Sequence, residues 1–196
     1  MSRRILIVQG HPDPAGSHFC HALADAYRGG AERGGHAVDC VEVATLDFPL
    51  LRTKEDFEHG VAPPVIAAVQ ARMAAADHLV FLYPLWMGDM PAVLKGFLEQ
   101  CLRPGFAFGP QQPDGNRQGG GLRGKSAHVV VTMGMPALIY RWYFGAHSLR
   151  SFRSNILRFA GIAPVRSSLV GRVEALKPEA RAKWLARMAE LGAGAR

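Results

Sequence analysis

Cysteine is scarce in this chain of 196 residues, with only Cys20, Cys40 and Cys101 present and no C-x-x-C pair. An odd count without paired spacing excludes a disulfide framework, and the three are expected as small buried hydrophobes. Long apolar runs are missing too. No segment approaches the ~20 apolar residues of a membrane span, so no stable membrane insertion is expected. Arg3-Arg4 ahead of Ile5-Leu6-Ile7-Val8 imitates the start of a signal peptide, but the run ends at Gln9, short of the usual apolar region. The expected setting is therefore cytoplasmic, with a first strand beginning almost at the N-terminus. Acid is absent from one long stretch: no Asp or Glu lies between Gly115 and Val173, which carries Arg117, Arg123, Lys125, Arg141, Arg150, Arg153, Arg158, Arg166 and Arg172. The formal net charge is +7. An electropositive half of this kind can attract the phosphates of a dinucleotide. The arginines are dispersed and not interleaved with aromatics as one patch, so nucleic acid is not the expected partner.

What is present reads as one α/β domain over residues 1–196. Hydrophobic residues make up 48% of the chain with no shift in composition along it, enough for a full core. Ile5-Leu6-Ile7-Val8 is a short β-branched strand, followed by the turn-rich Gly10-His11-Pro12-Asp13-Pro14-Ala15-Gly16-Ser17. From Ser17, a good N-cap residue, Phe19, Leu23 and Tyr27 recur at helical spacing. Val38 to Val43 reads as strand two, Val65 to Ala75 as a helix, Val80 to Tyr83 as strand three and Ala92 to Leu102 as a helix. Ala127 to Thr132 reads as strand four, Ser148 to Ala160 as a helix, Val165 to Val170 as strand five and Glu179 to Leu191 as the closing helix. Strands that alternate with helices predict a doubly wound, five-stranded parallel sheet with helices on both faces. Two loops, Thr45 to Pro64 and Arg103 to Gly124, exceed the ~12–15 residues beyond which loops of compact domains are as a rule functional or mobile.

Two connections carry the chemistry. A loop that ends at a helix N-terminus presents unpaired backbone N–H groups and the positive end of the helix dipole, which suits a phosphate near Ser17. After strand three, Tyr83-Pro84-Leu85-Trp86-Met87-Gly88-Asp89-Met90-Pro91 stops the ladder at Pro84 and restarts as a helix after Pro91, leaving an aromatic corner that can hold a flat ring. In flavodoxin-like strand order these two loops meet at the topological switch point.

At these residues the chain resembles the NAD(P)H:quinone oxidoreductase family of flavodoxin-like flavoenzymes, over nearly its whole length. His11-Pro12-Asp13-Pro14 with Ser17-His18 is similar to the family's phosphate loop, and Pro84-Leu85-Trp86 with Pro91-Ala92-Val93-Leu94-Lys95-Gly96 to its isoalloxazine loop. Thr132-Met133-Gly134-Met135-Pro136 stands where the family has a Thr-Thr-Gly-Gly turn. The departures are Cys20 for Asn, Met87 for a second aromatic, and Met133 and Met135 for Thr and Gly. A thioether is a poor hydrogen-bond partner, so backbone N–H groups are expected to serve there.

The resemblance implies FMN, with FAD as the alternative, held by His11, Ser17, His18, Phe19, Cys20, Pro84, Leu85, Trp86, Met87, Thr132, Met133, Gly134 and Met135. It implies two-electron, ping-pong hydride transfer from NADH or NADPH through the flavin to a quinone-like acceptor. Tyr140 and His147 would be the catalytic pair over the ring, one residue further apart than in the family, and Phe108 of Gly105-Phe106-Ala107-Phe108-Gly109 would line the acceptor pocket. It also implies a homodimer, with Trp142, Tyr143 and Phe144 in the contact. The alternatives are azo- or nitro-compound reduction, a regulatory flavoprotein subunit of a potassium efflux system that would use the basic surface around Arg150 to Arg172, and an electron-carrier flavodoxin. Carrier surfaces are acidic, and the basic balance counts against the last.

Two other motifs lead elsewhere. Gly119-Gly120-Gly121-Leu122-Arg123-Gly124-Lys125-Ser126 satisfies the P-loop pattern, yet a coil precedes it and a strand, not a helix, follows, so nucleotide hydrolysis is not expected. His11, His18, Cys20 and His21 gather around the first helix, but no remote Cys/His pair completes a zinc set, and no metal is expected.

Overall fold

The structure, a computed structural model, describes residues 2–111 and 117–196. The centre of the Arg103 to Gly124 loop, and the Arg117 side chain counted in the basic half, lie outside the described residues. In chain order the elements are β1 (Arg4–Gln9), α1 (Phe19–Arg33), β2 (Ala37–Glu42), α2 (Lys54–His59), α3 (Pro64–Ala75), β3 (His78–Pro84), α4 (Ala92–Cys101), β4 (Phe108–Gln111), β5 (Arg117–Gly119), β6 (Ser126–Thr132), α5 (His147–Ser151), β7 (Val165–Val170) and α6 (Pro178–Ala193). α5 continues as a π-helical stretch, Phe152–Arg158, and a π-helical turn, Ile139–Tyr143, precedes it.

β1, β3 and β6 are buried along almost their whole length because helices cover both faces, which is why their sequences are continuous apolar runs with no alternation. The sheet is wholly parallel in the order β2-β1-β3-β6-β7, with Ile7 opposite both Cys40 and Val80, and Tyr83 opposite Val131. One face packs Leu6, Val8, Phe81 and Val129 under α3, α4 and the Phe152 segment. The other packs Ile5, Ile7, Val80 and Val130 under α1 and α6.

α1 and α6 approach so closely that glycine is required at the contact. A Cβ on Gly30 would lie 2.0 Å from Ala189 O, and one on Gly192 would lie 2.1 Å from Tyr27 O. Gly30→Ala gains about 1 kcal/mol of helix propensity, but a backbone carbonyl cannot yield, so the helices must separate. We expect a net loss of roughly 2–3 kcal/mol in urea denaturation; unchanged stability would show that the helix pair has room to spare.

Several expected boundaries shift. β2 starts at Ala37 and ends at Glu42, because Val43 opens a 3₁₀ turn, Val43–Thr45. The closing helix is longer at both ends, with Pro178 in its first turn. The expected Ser148 to Ala160 helix begins at His147 and widens after Ser151. Ser17 is not the N-cap of α1: His18 holds that position, extended at φ −88° and ψ 150°, without a side-chain cap bond. Asp13 Oδ2 grips His18 Nε2 at 2.7 Å, keeping the chain in loop conformation through residue 18 and leaving Ser17 one position too early. The long loops also carry structure that their polar residues concealed. Thr53 Oγ1 accepts from Asp56 N to cap α2, and β4 and β5 form an antiparallel hairpin. Cys20 and Cys101 are buried as expected, while Cys40 is half-buried. No helix among the described residues is long and apolar enough to cross a membrane.

Candidate functional site

The switch point lies between β1 and β3, whose onward connections leave toward opposite edges of the sheet. Backbone bonds stitch the strand ends together there: Gly10 N donates to Leu82 O at 2.7 Å and Leu85 N to Thr132 O at 2.7 Å. Gly10 must be glycine, since a Cβ would meet a Leu94 methyl at 2.6 Å and Leu82 O at 3.2 Å. The loops carrying residues 10–18, 84–91 and 132–136 therefore share one end of the sheet.

The first loop is organised by its own side chains. Gln9 Oε1 accepts from His11 N at 3.1 Å and from Cys20 Sγ at 3.4 Å, while Gln9 Nε2 donates to Cys20 O. His11 Nδ1 accepts from Asp13 N at 3.2 Å, a bond that requires the neutral ring with its proton on Nε2. Burial, and then the neighbouring His18 and His21, hold the His11 pKa below its ordinary value. The His11 and His18 rings stack at 3.9 Å, with His21 5.1 Å from His11. The hydrogen bond from His18 holds the exposed Asp13 carboxyl below the usual carboxylate range.

α1 then opens with the amides of His18, Phe19 and Cys20 lacking a carbonyl partner among the described residues, since His21 N and Ala22 N are the first to return to His18 O. His21 Nδ1 is likewise buried without a partner among the described residues. Arg181 adds positive charge beside this helix end, its guanidinium carbon 4.8 Å from the centre of the Phe19 ring. Cys20 is inert here: burial raises its thiol to about 12.

The second loop folds as a tight reversal. Trp86 N donates to Asp89 O and Asp89 N to Trp86 O, with Met87 (φ 49°) and Gly88 (φ 83°) both left-handed between them. Holding methionine in that region costs about 1–2 kcal/mol. The turn leaves Met87 fully exposed and Trp86 half exposed, edge-on to His11 at 6.5 Å, while Pro84 and Leu85 are half-buried beneath them. In the third loop Thr132 and Met133 are buried, and Met133 N is taken by Val170 O. The N–H groups of Gly134 and Met135 have no partner among the described residues, so amides remain available where the methionine side chains offer nothing.

Tyr140 and His147 occupy contrasting environments. Tyr140 is 3% exposed; its oxygen lies 2.8 Å from Ser148 Oγ and accepts from Leu149 N. Ser148 Oγ donates to Gly88 O at 2.7 Å, so the Tyr140 proton points at Ser148, and the pair pins the π-helical turn to the Met87–Gly88 reversal. His147 is exposed and follows two left-handed residues, Gly145 (φ 62°) and Ala146 (φ 47°). Its Nε2 would lie 2.8 Å from a Cβ on Gly145, so only glycine lets the ring fold back there. The Phe108 ring packs against that of Phe159 at 5.0 Å, tilted by 35°. Its hairpin leaves the C-terminal end of α4, at the opposite end of the sheet, so a single chain does not bring Phe108 to the three loops.

Sequence reasoning passed over Gln9, Ser148 and Arg181. A polar residue closing an otherwise apolar strand is a usable signal for Gln9; the other two are joined to the site only by tertiary contact. Lys125 of the P-loop-like segment donates to Ala74 O and Ala76 O at 2.6 Å each, capping the end of α3, and strand β6 follows it. Among the described residues no three His, Cys, Asp or Glu side chains are arranged to hold a metal ion.

A parallel sheet in the order β2-β1-β3-β6-β7, with its switch point between β1 and β3, defines the flavodoxin-like class. The chain belongs to the family described as "Flavodoxin-like fold", whose sequence profile matches residues 3–191. It is 26% identical over 180 residues to an uncharacterized NAD(P)H oxidoreductase of Haemophilus influenzae, covering 90% of this chain and 87% of that protein. An NAD(P)H:quinone oxidoreductase from Methanothermobacter marburgensis superposes with a TM-score of 0.83 at 22% identity, over 99% of this chain and 97% of the other. An FMN-dependent NADH-azoreductase from Bacillus anthracis, solved in complex with FMN, superposes with a TM-score of 0.73 at 15% identity, over 99% and 98%.

Proposed function

We propose that the chain is an NAD(P)H-dependent reductase of quinones and similarly flat acceptors, working through FMN held between the ends of β1 and β3. The observation that supports this best is the convergence at one end of the sheet of two sets of unpaired amides, at residues 18–20 and 134–135, with an exposed indole beside them. The donor set fits the group. A phosphate monoester meets N–H donors and a positive helix end, with the one nearby carboxylate of the loop, Asp13, already bound to His18.

When bound, the flavin supplies hydride acceptance and donation. Ser17 and the amides of residues 18–20 hold the phosphate, and His11 keeps the loop in shape through Asp13 N. Pro84, Leu85, Trp86 and Met87 and the Thr132–Met135 segment would hold the ring, with the Gly134 and Met135 amides available as hydrogen-bond donors to it. Cys20 stays protonated and fills space. His147 offers an imidazole that can meet developing negative charge on the acceptor oxygen. Tyr140, whose proton is committed to Ser148, holds the Met87–Gly88 reversal in place.

The exposed apolar residues Tyr143 (82% exposed) and Phe144, close in sequence to His147, support a homodimer through this face, while Leu138 and Trp142 line the cleft beside β7. In that assembly Phe108, distant from its own chain's loops, would reach the acceptor space of the partner subunit. FMN is preferred over FAD because no separate adenosine-binding module is evident.

Protein loaded with FMN should lose its flavin absorbance on addition of NADH or NADPH under nitrogen and regain it with a quinone; a band that neither nicotinamide bleaches would contradict the proposal. His147→Ala should lower acceptor turnover by at least about tenfold with full flavin content. Tyr140→Phe should lower turnover less and raise solvent access at Trp86, read as a shift in indole fluorescence. Wild-type turnover in His147→Ala would remove His147 from the chemistry.

A further inference from the structure

The last strand of the sheet has an open edge. Ala127 N donates to Pro164 O and Met133 N to Val170 O, so in this parallel register the even-numbered residues of β7 face β6. The N–H and C=O groups of Val165, Ser167 and Leu169 must then point away from the sheet. Arg153 Nη2 occupies Val165 O at 2.9 Å. Those of Ser167 and Leu169 have no partner among the described residues, and both residues line a cleft of about 750 Å³.

The walls of that cleft combine apolar surface from Leu138, Trp142 and Leu149 with a set of guanidiniums. Arg141, Arg150 and Arg153 come from the segment around α5, and Arg187 with Trp184 from α6. No Asp or Glu lines the cleft, and none of these four arginines forms an ion pair among the described residues. Guanidiniums gathered around one cavity without a carboxylate repel one another, and an anionic occupant removes that cost. Two features thus coincide: an unpaired β edge, which recognises extended backbone, and flanking guanidiniums, which recognise carboxylates. A nucleic acid or lipid headgroup would satisfy the second but not the first.

We propose that the free edge of β7 is a docking groove for an extended acidic peptide segment of a partner protein, which adds as a strand beside Ser167 and Leu169 and places its carboxylates against Arg150, Arg153 and Arg187. This groove is separate from the three loops at the switch point, and the inference does not depend on the function proposed for them.

The test uses the full chain loaded with FMN and a fluorescein-labelled peptide of four Glu-Val repeats, followed by fluorescence anisotropy and amide hydrogen exchange. We expect saturable binding that weakens with added salt and slowed exchange at Ser167 and Leu169. A peptide of the same charge with proline at alternate positions, unable to pair, should bind at least about tenfold more weakly. The double variant Arg150→Glu/Arg187→Glu should weaken binding by roughly 30-fold. Both residues are exposed, and unchanged melting and FMN content would show that the variant is folded. Equal binding of the proline peptide, tighter binding of an oligonucleotide or of phosphatidylserine vesicles, or no change in exchange at residues 167 and 169 would each overturn the proposal. So would self-association of Arg150→Ser/Arg187→Ser in the absence of peptide binding by wild type, which would make the arginines guards of the edge against aggregation.

Discussion

His18→Glu should weaken FMN binding by about 100-fold or more while leaving the chain folded. His18 sits in the N-cap position of α1, half-buried, with its ring held by Asp13 and stacked on His11. A glutamate there replaces a donor with a second carboxylate beside Asp13. Two like unit charges about 5 Å apart at an effective dielectric near 20 repel by roughly 3 kcal/mol, or about two orders of magnitude in affinity. His18→Gln, which keeps an uncharged donor, should cost less than about tenfold. Quenching of flavin fluorescence on titration gives both numbers. If the glutamate variant binds FMN as wild type does, the phosphate does not rest on this helix end.

The second large effect concerns acid stability and arises at the other end of the sheet. His78 and His128 are buried on neighbouring strands. His78 Nδ1 lies 2.7 Å from Ser126 Oγ; His128 Nδ1 donates to Arg196 O at 3.0 Å and its Nε2 accepts from Ser168 Oγ at 2.9 Å. Burial, followed by His128 and Arg3, lowers the His78 pKa to about 3. Burial lowers that of His128 to about 4, against the raising effect of the Arg196 carbonyl. Both values lie below the ordinary 6.5, so below pH 6.5 the unfolded chain binds protons that the native one refuses. The stabilisation is complete above pH 6.5 and is lost as pH falls toward 4 and then 3. Two pH units of that window amount to roughly 2–3 kcal/mol per histidine at pH 4.5. A combined loss of roughly 5 kcal/mol is a large part of a typical domain's 5–15 kcal/mol. His11 and His21, also lowered, act in the same direction. Urea titrations at pH 7 and pH 4.5 should show the loss, and His78→Gln/His128→Gln should remove most of the difference between them. The same difference in the double variant would place the acid sensitivity elsewhere.

Strands and the switch point were legible because their causes are local. A parallel strand covered on both faces must be an unbroken apolar run, and Pro84 and Pro91 mark where a ladder ends and a helix restarts. The loops after β1 and β3 were marked by the same punctuation. The cap of α1 was misplaced because the Asp13–His18 bond, which delays the helix, joins residues whose side-chain geometry sequence spacing does not give. The π-helical turn at 139–143 was missed because its run of aromatics has no helical periodicity; the structure buries Tyr140 and exposes Trp142, Tyr143 and Phe144, the residues expected in a subunit contact. The link from Tyr140 through Ser148 to Gly88 spans 60 positions between Gly88 and Ser148, and no local pattern announces it. In the Thr132–Met135 segment one amide is spent on Val170, and those of Gly134 and Met135 have no partner among the described residues.

The central claim is that FMN is clamped at the divergence of β1 and β3 with its phosphate on the opening amides of α1. It is tested most directly by titrating FMN into ¹⁵N-labelled protein. Saturation is expected at one flavin per chain, with the amide signals of Phe19 and Cys20 moving together with the Trp86 indole signal and one bound ³¹P resonance. Saturation that leaves Phe19 and Cys20 unmoved, or no saturation at all, would contradict it.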